Sequence, residues 1–205
     1  DNMTDSDLIF LNDSTIVGKR ISDAWAREQH FYFTISFSEI PITRQFKKNE
    51  EGQSSKLILE FDAKFPILGI KVGISAVDIN GAKKNLKKEM PSWDFDKYKI
   101  ENEQKWNQEL GKISINEKDP DKMAIFYTAL YHSFLNPNTF SDVDGRYRGM
   151  DMKIHQSPLT QYTVFSLWDT FRAAHPLFTI TQEHRTLDFI NTLLNQYKQG
   201  GILPI

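Results

Sequence analysis

The hydrophobic period changes near residue 75, and this change limits the possible folds more than any other feature of the sequence. Apolar and polar residues alternate with a period of two in His30–Ser38 (HFYFTISFS) and again in Leu68–Ser75 (LGIKVGIS). Such alternation is typical of half-buried strands. Shorter strands are predicted around Ser14–Ile21 and at Lys56–Phe61, and the charged segment Lys47–Ser55 is predicted to be a loop. The first part of the chain therefore predicts an antiparallel sheet or a sandwich.

After residue 75 the pattern becomes helical. A helix is predicted over Asn80–Met90, with Ser75 and Asp78 as a capping arrangement at its start and Pro91 as its stop. A second helix is predicted over Asp94–Leu110, which is followed by a glycine. We interpret these two helices as a linker.

Three further helices are predicted from apolar residues that recur at intervals of three and four. The first covers residues 119–134, the second runs from Val164 to a stop at Pro176, and the third carries Leu187 and ends at Gly200. Three helices alone would leave much of their apolar surface in water. We therefore expect further polypeptide, or another copy of the chain, to cover these faces.

Composition excludes several classes of protein. The chain of 205 residues is 40% hydrophobic and 25% charged, which is typical of a soluble globular protein. A net charge of −2 lacks the basic surface that nucleic acid or an anionic membrane requires. There is no cysteine and no apolar run approaching the ~18 residues of a membrane span. The first seven residues are polar and acidic, unlike a signal peptide, so we expect a trimmed or a non-exported protein.

A polar loop, Asn136–Gln161, separates two of the predicted helices and is long enough to suggest a functional role. Its charged side chains can bind a polyhydroxylated ligand through charged hydrogen bonds, or can pair with one another to hold the loop, and the sequence leaves both open. A calcium loop of the EF-hand type is disfavoured, because Lys153 stands where that loop needs glutamate. The candidate residues are Asp142, Asp144, Arg146, Arg148 and Asp151.

Trp168 and Asp169 form the second candidate site. Helical spacing favours a salt bridge from Asp169 to Arg172. The functional alternative is that Trp168 stacks on a sugar ring while Asp169 accepts hydrogen bonds from its hydroxyls.

The histidines are dispersed and predict no metal site, and His132 is predicted to be a packed or hydrogen-bonded core residue. The glycine-rich and nucleophile-elbow motifs of nucleotide-binding proteins and serine hydrolases are absent from the sequence.

Several long motifs in the same order resemble glycoside hydrolase family 92, the calcium-dependent α-mannosidases. The strongest are FYTALYHSFLNPNTFSDVDGRYRGMD (Phe126–Asp151), YTVFSLWDTFRAAHPLFTI (Tyr162–Ile180) and the final GGILPI. KVGIS (Lys71–Ser75) and AKKNL (Ala82–Leu86) resemble the end of the family's N-terminal domain and the following linker. The resemblance covers nearly the whole chain.

The resemblance implies an α+β multidomain protein in which a β-sandwich packs on an (α/α)6 barrel. This chain would then hold the C-terminal part of the sandwich (residues 1–76), a helical linker (77–115) and the first helices of the barrel (116–205). The family's pattern places Asp169 in the mannose subsite with Trp168 beside it. The loop residues match by type and are assigned only to shaping the site. The catalytic acid, the base and the calcium ligands are expected beyond Ile205.

The implied activity is that of an exo-acting, inverting, calcium-dependent α-mannosidase, of α-1,2 type, acting on N-glycans or mannan in the periplasm or outside the cell. This chain alone is expected to be inactive. Two alternatives stay open at this point. One is a non-catalytic carbohydrate-binding or interaction module, and the other is an (α/α)6 glycosidase with a different sugar specificity.

Overall fold

The computed structural model describes residues 2–24, 26–48 and 55–203, which fold as two compact units. The first unit contains the chain up to Trp93 together with Ser141–Arg148 and Ile154–Gln156. The second contains Asp94–Phe140, Gly149–Lys153 and the chain from Ser157 onward. The α+β class is confirmed, since a sheet-rich part precedes a helical part. The three-part division at residues 76 and 115 stays a prediction.

The first unit is built on a four-stranded antiparallel sheet in the order β1-β2-β3-β6, with β4 and β5 paired separately. All four predicted strands are confirmed within two residues. The pattern predicts neither β1, a largely polar edge strand, nor β4. The predicted loop Lys47–Ser55 overlaps β4 and β5 at its ends, and residues 49–54 lie outside the described residues. The strands are β1 (Asn2–Asn12), β2 (Thr15–Asp23), β3 (Gln29–Phe37), β4 (Thr43–Lys48), β5 (Ser55–Glu60) and β6 (Ile70–Ser75).

Helix α1 (Ile79–Glu89) packs on one face of this sheet, and small residues permit its close approach. A Cβ atom on Gly73 would lie 2.4 Å from the Ala82 carbonyl oxygen and 2.6 Å from Leu86 Cβ. On the opposite face Ile70, Val72 and Ile74 are 54%, 51% and 53% exposed. The apolar side of β6 is therefore not the side that the helix covers.

The start of α1 differs from the predicted capping arrangement. Asp78, not Ser75, is the N-cap, and its Oδ1 accepts a hydrogen bond from Gly81 N at 2.6 Å. Ser75 still belongs to β6, and its hydroxyl oxygen accepts a hydrogen bond from Val77 N. The predicted stop is confirmed, since the helix ends at Glu89, just before Pro91.

The second unit contains the remaining helices. Asp94 and Asp119 cap α2 and α3 through side-chain hydrogen bonds, and the Asp119-Pro120 step predicts the second of these caps. Gly201 ends α6 in the left-handed conformation that favours glycine, with φ 80°. In the part of the chain that the structure describes, no helix is long and apolar enough to span a membrane. The helices are α2 (Phe95–Leu110), α3 (Pro120–Ser133), α4 (Leu167–Thr170), α5 (Ala174–Thr181) and α6 (Glu183–Gly200).

The helix predicted between Val164 and Pro176 is wrong in its extent. The chain there forms only the single turn α4, and Pro176 lies in the first turn of the next helix, α5. Proline is tolerated at this position because the first N–H groups of a helix have no intrahelical acceptor. The proline therefore marks a start here and not a stop.

Three short strands lie in the predicted loop Asn136–Gln161, and a fourth follows it directly. β7 (Asn138–Thr139) pairs with β10 (Tyr162–Thr163) in the second unit, and β8 (Arg146–Arg148) pairs with β9 (Ile154–Gln156) in the first. Tyr162, Phe178 and Phe189 form the buried core of the second unit. By contrast, the predicted apolar side of α6 stays about half exposed. Its residues are Leu187 (58%), Ile190 (48%), Leu194 (48%) and Tyr197 (53%).

Candidate functional site

The carboxylate of Asp142 is the buried anchor of the β8–β9 hairpin. The residue is only 4% exposed, and its Oδ2 accepts a hydrogen bond from Ser75 Oγ at 2.8 Å. Its Oδ1 accepts one from Asn85 Nδ2, also at 2.8 Å. Burial raises the pKa of Asp142, although both hydrogen bonds oppose this shift.

Asn85 on α1 uses its whole amide group to hold the hairpin. Its Nδ2 also donates to the Ile74 carbonyl oxygen at 2.8 Å, while its Oδ1 accepts from Val143 N at 2.8 Å. One side chain thereby connects α1, β6 and the hairpin. Sequence reasoning missed Asn85, because an asparagine inside a helix gives no signal of its partners when these lie 57 and 58 residues away.

Arg146 organises the remaining charges. Its Nη1 donates to Asp78 Oδ2 at 2.7 Å and its Nε donates to Asp144 Oδ2 at 3.0 Å. Lys84 Nζ donates to the same Asp144 oxygen at 2.8 Å. The Lys84 hydrogen bond, with those of Arg146, lowers the pKa of Asp144 to about 2, and Arg146 likewise lowers the pKa of Asp78. We call this set the hairpin clamp. It consists of Ser75, Asp78, Lys84, Asn85, Asp142, Asp144 and Arg146.

Arg148 and Asp151 complete the loop residues singled out in the sequence. Arg148 donates from Nε to the Ala76 carbonyl oxygen at 2.9 Å and from Nη2 to that of Val77 at 3.2 Å. Asp151 belongs to the second unit, where its Oδ1 accepts from Lys153 N at 3.1 Å. The loop charges thus hold the backbone and one another, and a role in shaping a sugar site stays a prediction.

Calcium, which the family resemblance implies, needs six to eight oxygen ligands. Across residues 2–24, 26–48 and 55–203, no group of three or more histidine or acidic side chains is arranged to hold a metal ion. The three carboxylates of the hairpin clamp already face the cations of Arg146 and Lys84 and the amide donor of Asn85. The described residues therefore do not fit a calcium site.

The Trp168–Asp169 turn is open to solvent. Trp168 is 77% exposed, and Asp169 beside it is also exposed. Ser166 Oγ donates a short hydrogen bond to Asp169 Oδ2. Within the described chain Asp169 forms no ion pair with Arg172, whose guanidinium lies 5.3 Å from the ring centroid of Phe171. The salt bridge predicted from spacing is therefore wrong.

One buried and one partly buried aromatic side chain, Tyr162 and Phe165, hold the segment that leads into this turn. Tyr162 packs edge-to-face on Phe189 at 4.7 Å between ring centroids, and its backbone N–H donates to Thr192 Oγ1 at 3.3 Å. Phe165 packs edge-to-face on the same Phe189 ring at 6.0 Å. Between them, Val164 has a left-handed backbone with φ 63° and is 58% exposed.

A second polar cluster, in the second unit, surrounds Glu109. Burial raises the pKa of Glu109, but hydrogen bonds from Lys112, Gln182 and Arg185 outweigh this effect and lower it to about 2. These bonds measure 2.6, 2.7 and 2.8 Å. They border a cavity of about 330 Å³ whose other walls include Trp106. Of these contacts, only the pair Glu109–Lys112, three residues apart, could be predicted from the sequence.

The prediction for His132 is wrong, because this side chain is exposed. Leu130 is the buried residue of α3, and a position two residues further along a helix points about 200° away from it. His175, in contrast, lies among the core rings, 5.6 Å from Phe178, and burial lowers its pKa.

Residues 81–205 match the model of the glycosyl hydrolase family 92 catalytic domain. The fold matches the structure of a family GH92 α-mannosidase from Bacteroides thetaiotaomicron with a TM-score of 0.90 and 33% identity, covering 98% of this chain and 29% of that one. It also matches a family GH92 inverting mannosidase from the same organism, with a TM-score of 0.85, 24% identity and coverage of 97% and 29%. At that lower identity the match shows the fold alone.

The chain is also 32% identical, over 75 residues, to an uncharacterized secreted glycosidase of the fungus Arthroderma benhamiae, covering 35% of this chain and 10% of that protein. A sheet-rich part followed by helices is the fold that this chain shares with the GH92 structure, which places it in the glycosidase class. The family model covers more than half of the chain, and the chain belongs to glycoside hydrolase family 92.

Proposed function

We propose that the whole protein is an exo-acting α-mannosidase that hydrolyses terminal mannosides of N-glycans or mannan with inversion. Membership of family 92 and the 33% identity to a GH92 α-mannosidase support the activity. The chain spans only 29% of that solved structure. The proposal therefore concerns the whole protein, in which this chain supplies part of a sugar-binding surface.

The observation that carries the proposal is the pairing of an exposed tryptophan with an exposed carboxylate on an anchored turn. Exposing 77% of a tryptophan leaves a large apolar surface in water, unlike the usual fate of this residue. Aromatic faces suit the apolar faces of sugar rings, and a carboxylate accepts hydrogen bonds from vicinal hydroxyls. We assign Trp168 and Asp169 to substrate binding on these grounds.

Inversion needs one carboxylic acid to protonate the leaving oxygen and one carboxylate to activate water, about 6.5–9.5 Å apart. Asp78 and Asp144 of the hairpin clamp are paired with cations, and Asp142 is buried with both oxygens hydrogen-bonded to Ser75 and Asn85, so none of the three is placed to act as the acid or the base. We assign the acid and the base to residues beyond Ile205, in further helices of an (α/α)6 barrel. This chain alone is accordingly proposed to bind but not to hydrolyse mannosides.

Three finer points belong to the same proposal. We propose an α-1,2 linkage preference and dependence on calcium, both by family resemblance alone. Because the described residues do not fit a calcium site, calcium ligands would come from elsewhere in the whole protein. We also propose a periplasmic or extracellular location, in line with the fungal relative described as secreted.

The test is to assay the whole protein on aryl α-mannosides and α-glucosides, with and without a chelator. We expect turnover of the mannoside only, with inverted product, and loss of activity with the chelator that added calcium restores. A chelator-insensitive α-glucosidase would contradict the proposal, and no hydrolysis of either substrate would favour a non-catalytic binding module.

The site assignment is tested by Asp169→Ala in the whole protein, with Glu183→Ala as the matched control. Glu183 is an exposed carboxylate of the same unit, in the first turn of α6. We expect Asp169→Ala to lower kcat/KM about 100-fold or more, because a charged hydrogen-bonding group is removed from the sugar. The control should stay within about twofold of the unaltered protein. Equal activity of the two variants would show that Asp169 does not bind substrate.

A further inference from the structure

Ser166 occupies the N-cap of α4, yet its hydroxyl makes no capping bond. A serine at this position usually accepts a hydrogen bond from the backbone N–H two or three residues later. Here Ser166 Oγ instead donates to the side chain of Asp169, three residues later. Helix capping therefore does not account for this serine, and its hydroxyl is committed to the carboxylate.

The backbone before Ser166 is packed against the core, which holds the hydroxyl that donates this hydrogen bond in place. Side chains of a strand alternate between its two faces, so residues three apart point in opposite directions. Tyr162 and Phe165 are three apart, yet both pack against Phe189. The left-handed backbone of Val164 breaks the alternation between them. Tyr162 before the kink and Phe165 after it are thus both packed against the core, just before Ser166.

We propose that Ser166 is a positioning residue for Asp169: its hydroxyl, placed by the kink at Val164, holds the carboxylate in the orientation that accepts the sugar hydroxyls. This inference rests on the proposed function, because it takes Asp169 to be a substrate-binding residue. Ser166 itself need not touch the substrate.

An exposed carboxylate without a partner rotates between several conformations, and a ligand must then select one of them. The Ser166 hydroxyl donates to Oδ2 and so restricts the rotation of the carboxylate. Among the described residues Oδ1 forms no hydrogen bond, which leaves it available to a ligand. A bond of this kind raises affinity by preorganisation and adds no contact to the sugar.

The experiment measures kcat and KM on an aryl α-mannoside, and the Kd of mannoimidazole, for single and double variants of the whole protein. Mannoimidazole is a suitable probe because the B. thetaiotaomicron GH92 α-mannosidase has been crystallised with it. We expect Ser166→Ala to lower kcat/KM and to weaken mannoimidazole binding, each about 10-fold. Ser166→Thr keeps the hydroxyl and suits the extended φ of −136°, so it should restore both values to within about threefold.

A double-mutant cycle separates positioning from a general structural effect. If Ser166 acts only through Asp169, Ser166→Ala should have no further effect in the Asp169→Ala background. Thr170→Ala is the matched control, because Thr170 Oγ1 donates to the Ser166 carbonyl oxygen at 2.7 Å in the same turn. We expect this control to leave mannoimidazole affinity unchanged within about twofold.

Two results would overturn the inference while leaving the proposed function intact. One is a strong Asp169→Ala effect with no effect of Ser166→Ala, and the other is a Ser166→Ala loss that persists in the Asp169→Ala background. A third result, full activity and affinity of Asp169→Ala, would instead overturn the substrate-binding role on which the inference depends.

Discussion

The hairpin clamp and the Trp168–Asp169 turn both present carboxylates in motifs that resemble family 92, yet their surroundings differ completely. Asp142 is 4% exposed and accepts two hydrogen bonds from residues of β6 and α1. Asp169 is exposed and accepts one, from a serine three residues away. The first carboxylate has both oxygens hydrogen-bonded by the fold itself, whereas among the described residues Oδ1 of the second accepts no hydrogen bond.

Residue type alone therefore does not distinguish a structural carboxylate from one that binds a ligand. A buried carboxylate must be paired or hydrogen-bonded, because burying an unpaired charge is unfavourable by several kcal/mol. An exposed carboxylate has no such requirement, so its geometry can serve a ligand. The comparison therefore predicts large stability effects in the clamp and small ones in the turn.

The largest effect is expected for Asp142→Ala. Removing this carboxylate leaves the Ser75 hydroxyl and the Asn85 amide without their buried acceptor, which should lower the local stability of α1 and the hairpin by about 3 kcal/mol. Hydrogen exchange of amides in α1 and β8, measured in the whole protein, would report this opening.

The matched variant is Asp169→Ala, for which the same exchange measurement on α4 and α5 should change by less than about 0.5 kcal/mol. If Asp142→Ala and Asp169→Ala destabilised their surroundings equally, the distinction between the clamp and the turn would be wrong.

A smaller effect is expected for Gly81→Ala, which tests how tightly the clamp is packed. A Cβ atom there would lie 2.1 Å from Asp142 Oδ2 and 2.5 Å from Ser75 Oγ, and both atoms are held by their mutual hydrogen bond. Alanine favours a helix over glycine by about 1 kcal/mol, so the clash must exceed that gain. We expect a net loss of about 2 kcal/mol, measured by the same hydrogen exchange.

Asn80→Ala is the control for the helix itself, since Asn80 is exposed and precedes Gly81 in α1. It should stabilise the helix slightly. A stabilising Gly81→Ala would show that Asp142 can move aside and that the clamp is looser than its hydrogen bonds indicate.

We expect acidification to remove about 1 kcal/mol of stability that the charged form of Asp144 contributes to the clamp. Its folded pKa of about 2 lies below the unfolded value, so its stabilisation is present above pH ~4 and disappears as the pH falls toward 2. The lowered pKa of Asp78, which is bound by Arg146, gives a stabilisation that is likewise lost as the pH falls. The raised pKa of Asp142 has the opposite effect, because its charged form at higher pH is less favourable in the folded protein. Arg146, whose pKa is raised by its hydrogen bonds to Asp78 and Asp144, stays charged throughout.

Comparing Asp144→Asn with the unaltered protein by urea denaturation isolates this contribution. The variant should be less stable than the unaltered protein at pH 6, and most of this difference should be lost at pH 2. A difference that is the same at both pH values would mean that Asp144 stabilises the clamp through something other than its charge.

The sequence predicts the elements of both regions but not their partners. The alternation in His30–Ser38 and the cap at Asp119 depend on neighbouring residues, so β3 and α3 follow from local pattern alone. The roles of Asn85 and Glu109 depend on residues 57 to 76 positions away, and local pattern carries no information about these. β1 is missed because its exposed edge position permits polar residues on both faces.

The same limit applies within the turn. Pro176 suggests a helix stop by type, but it lies in the first turn of α5, where a missing N–H has no effect. The spacing of Val164, Leu167 and Phe171 suggests one continuous helix through Trp168. The kink at Val164 appears only when Tyr162 and Phe165 are seen to share one core.

The smallest expected effect concerns that kink. Val164 has φ 63°, a backbone region that disfavours β-branched residues by about 1–3 kcal/mol, and its side chain is largely exposed. Val164→Gly should relieve this strain, while the greater freedom of glycine in the unfolded chain offsets part of the gain. We expect a net stabilisation of about 0.5–1 kcal/mol by thermal unfolding of the whole protein. Met152→Gly is the matched control, because Met152 also has a left-handed backbone with φ 64°. If Val164→Gly destabilises the protein while Met152→Gly stabilises it, the valine side chain supports the turn directly. The turn would then contribute to stability, as the clamp does, and the contrast between the two regions would be smaller than their exposure indicates.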